Sequence, residues 1–126
     1  MSQASQIQVS NHAHIETITP LVAGGVFNGH VFDLGDHQTR HPADHMLVSS
    51  FLAYFLASHG SAADGAVIQQ SRDAVTWFTV AEGTLVANRP LILRAPVVAQ
   101  FVRVALTNGA TAQTALRIHS LRSVFP

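Results

Sequence analysis

The sequence predicts an all-β protein: a single jelly-roll-like antiparallel β-sandwich of about eight strands with a short N-terminal arm. Three observations support this fold class. The 126 residues are enough for one domain with its own core, but not for two. From Ile15 onward the apolar residues fall in short runs, several of which alternate with polar residues as half-buried strands do. Seven clusters of turn-forming residues separate these runs at fairly regular spacing, which is typical of a sandwich or barrel.

Residues 1–14 are expected to form the arm, and residues 15–126 the sandwich domain. The first residues are polar, rich in Ser and Gln and without periodicity, so they have little ability to pack on their own. We expect them to become ordered only against a partner. The same segment lacks the basic and apolar regions of a secretory signal, so we expect a soluble protein that is not secreted by that route.

Residues 46–57 are the most apolar segment and allow two interpretations. They could form a helix capped by Asp44 and stopped at Gly60, or a long strand buried on both faces. We favour the strand, because a sandwich needs a central strand that is covered on both sides. The segment is also much shorter than the roughly 20 residues that would cross a bilayer, so no membrane association is expected.

The clearest strand covers residues 98–107, where one face is strongly apolar and the other is mixed. Asn108 and Gly109 tolerate a positive φ, and the alternation that resumes near Thr114 predicts a hairpin partner for this strand. Shorter strands are predicted at 26–34, 66–71, 75–80 and 91–95.

The composition excludes several functions. Seven basic and seven acidic residues cancel, so there is no basic field for nucleic acid. The absence of Cys excludes thiolate chemistry and iron–sulfur sites, and the absence of Lys excludes a Walker A loop and Schiff bases. Glu16 and Glu82 are the only two Glu, and most Asp lie beside turns, which argues against a paired-carboxylate glycosidase. We therefore expect no enzymatic activity, no catalytic residues and no cofactor. Only 11% of the chain is charged, and such a surface favours association.

Histidine is the one chemically unusual feature, with eight residues in the chain. His12 and His14 form one cluster, and His37, His41 and His45 form another. Imidazoles in such positions could bind zinc or iron. The alternative is that histidine serves as a polar surface residue, and we favour it because Pro42 interrupts the helix that would align the second cluster. We therefore predict no metal site.

Two further side chains have competing interpretations. Trp77 could stack on a sugar ring at the surface, but a lone Trp at the start of a strand more often anchors the core, and we predict the core. Arg103 could bind an anion, but in mid-strand it is expected to lie across the sheet from an acid or a carbonyl.

Several turn and core residues also occur in a recognisable order. They are Asp64-Gly65, Val67-Ile68-Gln69-Gln70-Ser71, Asp73, Thr76-Trp77, Phe101-Val102-Arg103-Val104 and Asn108-Gly109. This order resembles that of small β-sandwich proteins and domains of tailed-bacteriophage virions, and the likeness covers about three quarters of the chain. Two departures stand out: Ala74 replaces a usual Gly, and residues 46–57 are more apolar than such strands tend to be.

The resemblance implies a structural virion protein that decorates or cements the capsid, in preference to a tail or baseplate location. Its expected partners are the major capsid protein or other virion proteins, and copies of itself, with a trimer favoured. A carbohydrate- or receptor-binding module of a phage tail or baseplate is the second hypothesis. A small cupin-like metal-dependent enzyme is the third.

Overall fold

The computed structural model describes residues 11–34 and 47–125, which form two antiparallel β-sheets. Turn residues separate most of the strands, as the sequence pattern indicates. The nine strands of these two ranges are β1 (Asn11–Thr17), β2 (Val26–Asn28), β3 (Phe32–Asp33), β4 (Leu47–Ala57), β5 (Ser61–Ser71), β6 (Phe78–Gly83), β7 (Leu91–Pro96), β8 (Phe101–Asn108) and β9 (Leu116–Phe125).

The strand order is that of a jelly roll. Sheet A has the order β1-β9-β4-β7, and sheet B has the order β2-β8-β5-β6, with β3 also pairing with β8. Because β2 and β3 share one neighbour, they occupy a single strand position, and the sandwich has eight positions. The predicted all-β sandwich of about eight strands is confirmed. Among the described residues, no helix is long and apolar enough to span a membrane.

The core lies between the two sheets. Phe51, Phe55 and Ile118 project into it from sheet A, and Ile68 and Leu106 from sheet B; all five are fully buried. Burying a side chain of this size stabilises the fold by about 1.5–3 kcal/mol. These contacts, rather than any local preference of the backbone, hold the two layers together.

Strand β4 confirms the strand interpretation of the most apolar segment. Phe51, Ala53 and Phe55 are fully buried on its inner face. Leu52 and Tyr54 alternate with them and are half-buried on the outer face. Because both faces of this strand carry apolar residues, its sequence is a continuous apolar run without alternation. Periodicity alone therefore could not distinguish the strand from a helix.

Strand β1 corrects the predicted boundary of the arm. It begins at Asn11, so residues 11–14 belong to a strand of sheet A rather than to an arm; residues 1–10 lie outside the described residues. The Glu16 carboxylate in this strand accepts a hydrogen bond of 2.7 Å from the Ser120 hydroxyl. The strand escaped prediction because polar groups of this kind, rather than apolar ones, occupy its inward positions.

Glu16 also accounts for the break between β2 and β3. Its Oε1 accepts a hydrogen bond of 3.0 Å from the backbone N–H of His30. A Cβ atom on Gly29 would lie 2.6 Å from the same oxygen, so only glycine fits there without displacing the carboxylate. The continuous strand predicted over 26–34 is therefore split at the point where this carboxylate binds the backbone.

Strands β8 and β9 lie in different sheets, so the predicted hairpin is wrong. Asn108 is buried, and its amide Nδ2 donates to the carbonyls of Leu21 and Val22 at 3.2 and 2.9 Å. Gln113 is also buried and donates to Asn108 Oδ1 at 2.8 Å. This amide pair holds the connection that crosses from one sheet to the other.

The Asp64-Gly65 pair, predicted as a turn between strands, lies inside β5 as an irregularity of the ladder. The register with β8 shifts between Ser61 and Ala66, and Asp64 has a φ of 52°. A Cβ atom on Gly65 would come within 2.5 Å of the Thr107 carbonyl oxygen. The close approach of two backbones thus requires glycine, and β5 continues through the bulge.

Candidate functional site

The two predicted histidine clusters have different outcomes. His37, His41 and His45 lie outside the described residues. His12 and His14 belong to strand β1. Within the described ranges, no three His, Cys, Asp or Glu side chains are grouped so that they could hold a metal ion. For the chain as a whole, the absence of a metal site stays a prediction.

His14 packs at the edge of the sandwich among other rings. Its ring centroid is 5.5 Å from those of both His30 and Phe32, and the Arg122 guanidinium carbon lies 4.5 Å above Phe32. Burial lowers the pKa of Arg122, and the nearby charge of Glu16 acts in the opposite direction. The Glu16 carboxylate already binds the Ser120 hydroxyl and the backbone N–H of His30, so this cluster of side chains stabilises the fold.

The outer face of sheet A carries a row of large side chains that crosses all four strands. Ile15 on β1 is opposite His119 on β9, His119 is opposite Tyr54 on β4, and Tyr54 is opposite Ile92 on β7. The rings of Tyr54 and His119 pack with their centroids 5.9 Å apart. At the two ends of the row, Ile15 is 63% exposed and Ile92 is 58% exposed. A soluble sandwich would ordinarily place polar residues at such positions.

Two flanking rows add aliphatic side chains to the same face. Leu52 is opposite Leu121 on one side and Arg94 on the other, and Leu56 is opposite Arg117. No carboxylate among the described residues lies on this face, so its charged groups are cations. We call the following side chains the sheet A surface: Ile15, Leu52, Tyr54, Leu56, Ile92, Arg94, Arg117, His119 and Leu121.

A shallow depression of about 540 Å³ adjoins the sheet A surface at Leu56 and Arg117. Its other walls include Ile18, Pro20 and Asn88. The depression is open to solvent, whereas sites for small molecules usually enclose most of the ligand. It therefore enlarges the apolar surface available to a partner.

Trp77 lies outside the core, contrary to the prediction. It is half-buried, and the guanidinium carbon of Arg103 lies over its ring, 4.2 Å from the ring centroid. Arg103 Nε also donates a hydrogen bond of 2.9 Å to the amide oxygen Oε1 of Gln69, which agrees with the expectation of an acid or a carbonyl across the sheet. Because the guanidinium occupies one face of the indole, that face is closed to the sugar ring of the carbohydrate-binding alternative.

The turn before β6 explains why Trp77 is not in the core. Asp73 Oδ1 accepts hydrogen bonds of 2.9 Å from the backbone N–H groups of Val75 and Thr76 and another from the Ser71 hydroxyl. The backbone bonds from Thr76 and Val75 are the main cause of the lowered pKa of Asp73. This turn occupies the start of the strand predicted over 75–80, and β6 begins only at residue 78.

Sequence reasoning missed the sheet A surface as a whole. It identified the two-sided apolar character of 46–57 but assigned no role to Ile92 or Leu121. A usable signal was present at 91–93, where three consecutive apolar residues leave apolar side chains on both faces of one strand. What the sequence could not supply was the register that aligns these residues into rows.

Comparisons with known proteins identify a family and a fold. The family described as "Uncharacterised protein YqxG N-terminal domain" matches residues 2–123 of the chain. No curated protein gives a significant sequence match.

Among solved structures, the chain is similar to the PBSX exported protein XepA, with a TM-score of 0.76 and 18% sequence identity. The match covers 91% of this chain but only 38% of that one, so the chain spans well under half the length of XepA. At this identity the likeness shows a shared fold.

Two further structures are more distantly similar. A protein of the Bacillus endospore appendages, which form disulfide-linked pili, has a TM-score of 0.52 and 11% identity, with 92% of this chain and 88% of that one covered. PirA has a TM-score of 0.50 and 11% identity, with 90% and 93% covered. At these identities the likeness shows a shared β-sandwich fold.

Proposed function

The chain belongs to the family described as uncharacterised protein YqxG N-terminal domain, and from this premise we propose that it is a non-enzymatic structural protein of a phage-related particle. It acts by burying the sheet A surface against a protein partner. The fold shared with the phage protein XepA supports the setting. The carboxylates of Glu16 and Asp73 are already bound to the chain's own groups, which supports a role without catalysis.

The observation that carries the proposal is the apolar outer face of sheet A. Ile15 and Ile92 are more than half exposed at its two ends, with Tyr54 and Leu52 half-buried between them. Contiguous apolar surface on a soluble protein marks interaction sites, because covering it removes the cost of hydrating it. The low charge of the whole chain suits a protein whose surface is largely covered after assembly.

Within this role, the capsid surface is the favoured location, with a decoration or cement function and a major capsid protein or another virion protein as the partner. Association of copies, as a trimer, would place several sheet A surfaces on one particle and raise the overall affinity by multivalency. Strand β1, which follows the predicted arm in the sequence, forms one edge of sheet A, so this edge borders the surface proposed for contact.

The test is attachment of purified protein to phage-like particles from the organism that encodes it. Ile92→Glu places a carboxylate on the surface without entering the core, because Ile92 is 58% exposed. We expect attachment or self-association to weaken by roughly tenfold or more, since a charge must be desolvated in the contact. Cosedimentation and light scattering measure the two processes.

The matched control is Val26→Glu, which adds the same charge at a β-branched residue of sheet B that is also 58% exposed. It should attach as the unaltered protein does. Equal loss in both variants would indicate a general charge effect. A protein that remains monomeric and does not attach to particles would overturn the proposal.

A further inference from the structure

Arg103 occupies an unusual position on the outer face of sheet B. It projects outward from β8, opposite Gln69 on β5, while its neighbours Val102 and Val104 are buried in the core. The indole of Trp77 and the amide oxygen of Gln69 hold the guanidinium from two directions, at 4.2 Å from the ring centroid and 2.9 Å from Nε. Its orientation is therefore fixed before any ligand arrives.

The charge of this guanidinium has no counter-ion within the described residues. Asp73, in the loop that leads to Trp77, binds two backbone N–H groups and the Ser71 hydroxyl through Oδ1 and makes no ion pair with Arg103. Glu82 lies opposite Val67, two residues along β5 from Gln69. Burial lowers the pKa of Arg103, which means that its cation is partly desolvated without an acid to offset the cost.

Of the N–H donors of the Arg103 guanidinium, those on the two Nη atoms remain available to bind an acceptor. Nε is bound to Gln69, and no acceptor among the described residues bonds to either Nη. Both Nη groups are accessible to solvent: the only buried side-chain nitrogen atoms without a hydrogen-bond partner in the described residues are His119 Nε2 and Arg122 Nε. A planar pair of N–H donors held in one orientation matches the two oxygens of a carboxylate.

We propose that Arg103, Trp77 and Gln69 form a carboxylate-binding site on the outer face of sheet B, which receives an Asp or Glu side chain of a neighbouring protein chain. A single cation stacked on an indole matches a single negative charge, which favours a carboxylate over a doubly charged phosphate. The site lies on the opposite sheet from the sheet A surface, so it is independent of the proposed function and gives the protein a second contact.

Trp77 is the only Trp of the chain and reports on the site directly. The full-length protein is titrated at pH 7 with sodium acetate against sodium chloride at equal ionic strength, and the indole fluorescence and indole N–H resonance are followed. We expect a saturable change with acetate, with an apparent Kd on the order of 10–100 mM, as suits one exposed ion pair. Chloride should produce no saturable change.

Three variants make the test specific. Arg103→Gln should abolish the acetate response, and Arg103→Lys should weaken it by about tenfold, because a lysine keeps the charge and loses the planar fork. Arg89→Gln removes an exposed arginine from the turn before β7, outside both proposed contacts, and should leave the response unchanged. A melting temperature within a degree or two of the unaltered protein would verify that each variant is folded.

The outcomes separate the alternatives. A response to acetate that survives Arg103→Gln would overturn the site. Tighter binding of inorganic phosphate than of acetate would overturn the carboxylate assignment in favour of a phosphoryl group. A linear response without saturation in every variant would show that the guanidinium holds no anion, whatever the outcome of the attachment experiments on sheet A.

Discussion

At the scale of single residues, Ala74 is under backbone strain, as its replacement of a usual Gly in the sequence pattern indicates. It follows Asp73 at the place where the resembling proteins have Gly, and its φ is 63°. A Cβ atom in this left-handed region costs about 1–2 kcal/mol of strain. Replacing Ala74 by glycine removes the strain, but part of this stabilisation is lost because glycine raises the entropy of the unfolded chain. Ala74→Gly should therefore raise the free energy of unfolding by about 0.5–1 kcal/mol.

Denaturant unfolding measures this change, and Ala87→Gly is the matched control. Ala87 is also exposed in a turn, but its φ is not positive, so the same substitution there brings only the entropic loss. The two variants should move stability in opposite directions. If Ala74→Gly also destabilised the protein, the strain at this turn would be refuted.

Other residues show why single positions resisted prediction. Trp77 was assigned to the core because large aromatic residues usually are buried, yet a local turn carries it to the outer face, where Arg103 covers one side of the ring. Asn108 was recognised only for its tolerance of turn geometry, but it is buried and binds three backbone carbonyls. Both outcomes depend on neighbours distant in sequence, which composition and spacing do not reveal.

At the scale of elements, β1 is attached to the sandwich by the carboxylate of Glu16 as well as by its ladder with β9. The carboxylate accepts hydrogen bonds from the Ser120 hydroxyl in sheet A and from the His30 N–H between strands β2 and β3 of sheet B. Because hydrogen bonds to a charged group contribute about 1.5–3 kcal/mol, Glu16→Ala should destabilise the protein by an amount in that range. Hydrogen exchange of the β1 amides should accelerate first, since their opening needs no disruption of the core.

Glu16→Gln is the comparison for β1, because it keeps one oxygen acceptor and removes the charge. It should fall between the alanine variant and the unaltered protein. Unchanged exchange in the alanine variant would mean that the ladder with β9 alone holds the strand. A truncation that removes residues 1–14 would also take away residues 11–14 of β1, which pair with β9.

Elements were predictable where the alternation of apolar residues had one buried face. Strands β4, β7 and β8 were expected close to their observed positions, because their inward residues form the core. Strand β1 was missed because its inward positions are polar, and β5 was shortened because its bulge resembles a turn. The partners of β9 could not be deduced, since a connection between sheets and a hairpin use the same turn residues.

At the scale of the whole molecule, the sheet A surface combines apolar side chains with charges of one sign. His119 lies at its centre, in ring contact with Tyr54 and opposite Ile15. The same face carries Arg94 and Arg117, and no carboxylate of the described residues lies there to compensate a further positive charge. The Nε2 atom of His119 is buried and has no hydrogen-bond partner among the described residues.

Contact through the sheet A surface should therefore weaken in acid. The chain has eight histidines, and side chains of this type become charged as the pH falls toward 5, so the nearly neutral protein gains net positive charge that opposes close contact between copies. We expect the affinity of attachment or self-association to fall by about tenfold from pH 7.5 to pH 5.5. Sedimentation at constant ionic strength measures this dependence. An equal affinity at both pH values would contradict the prediction.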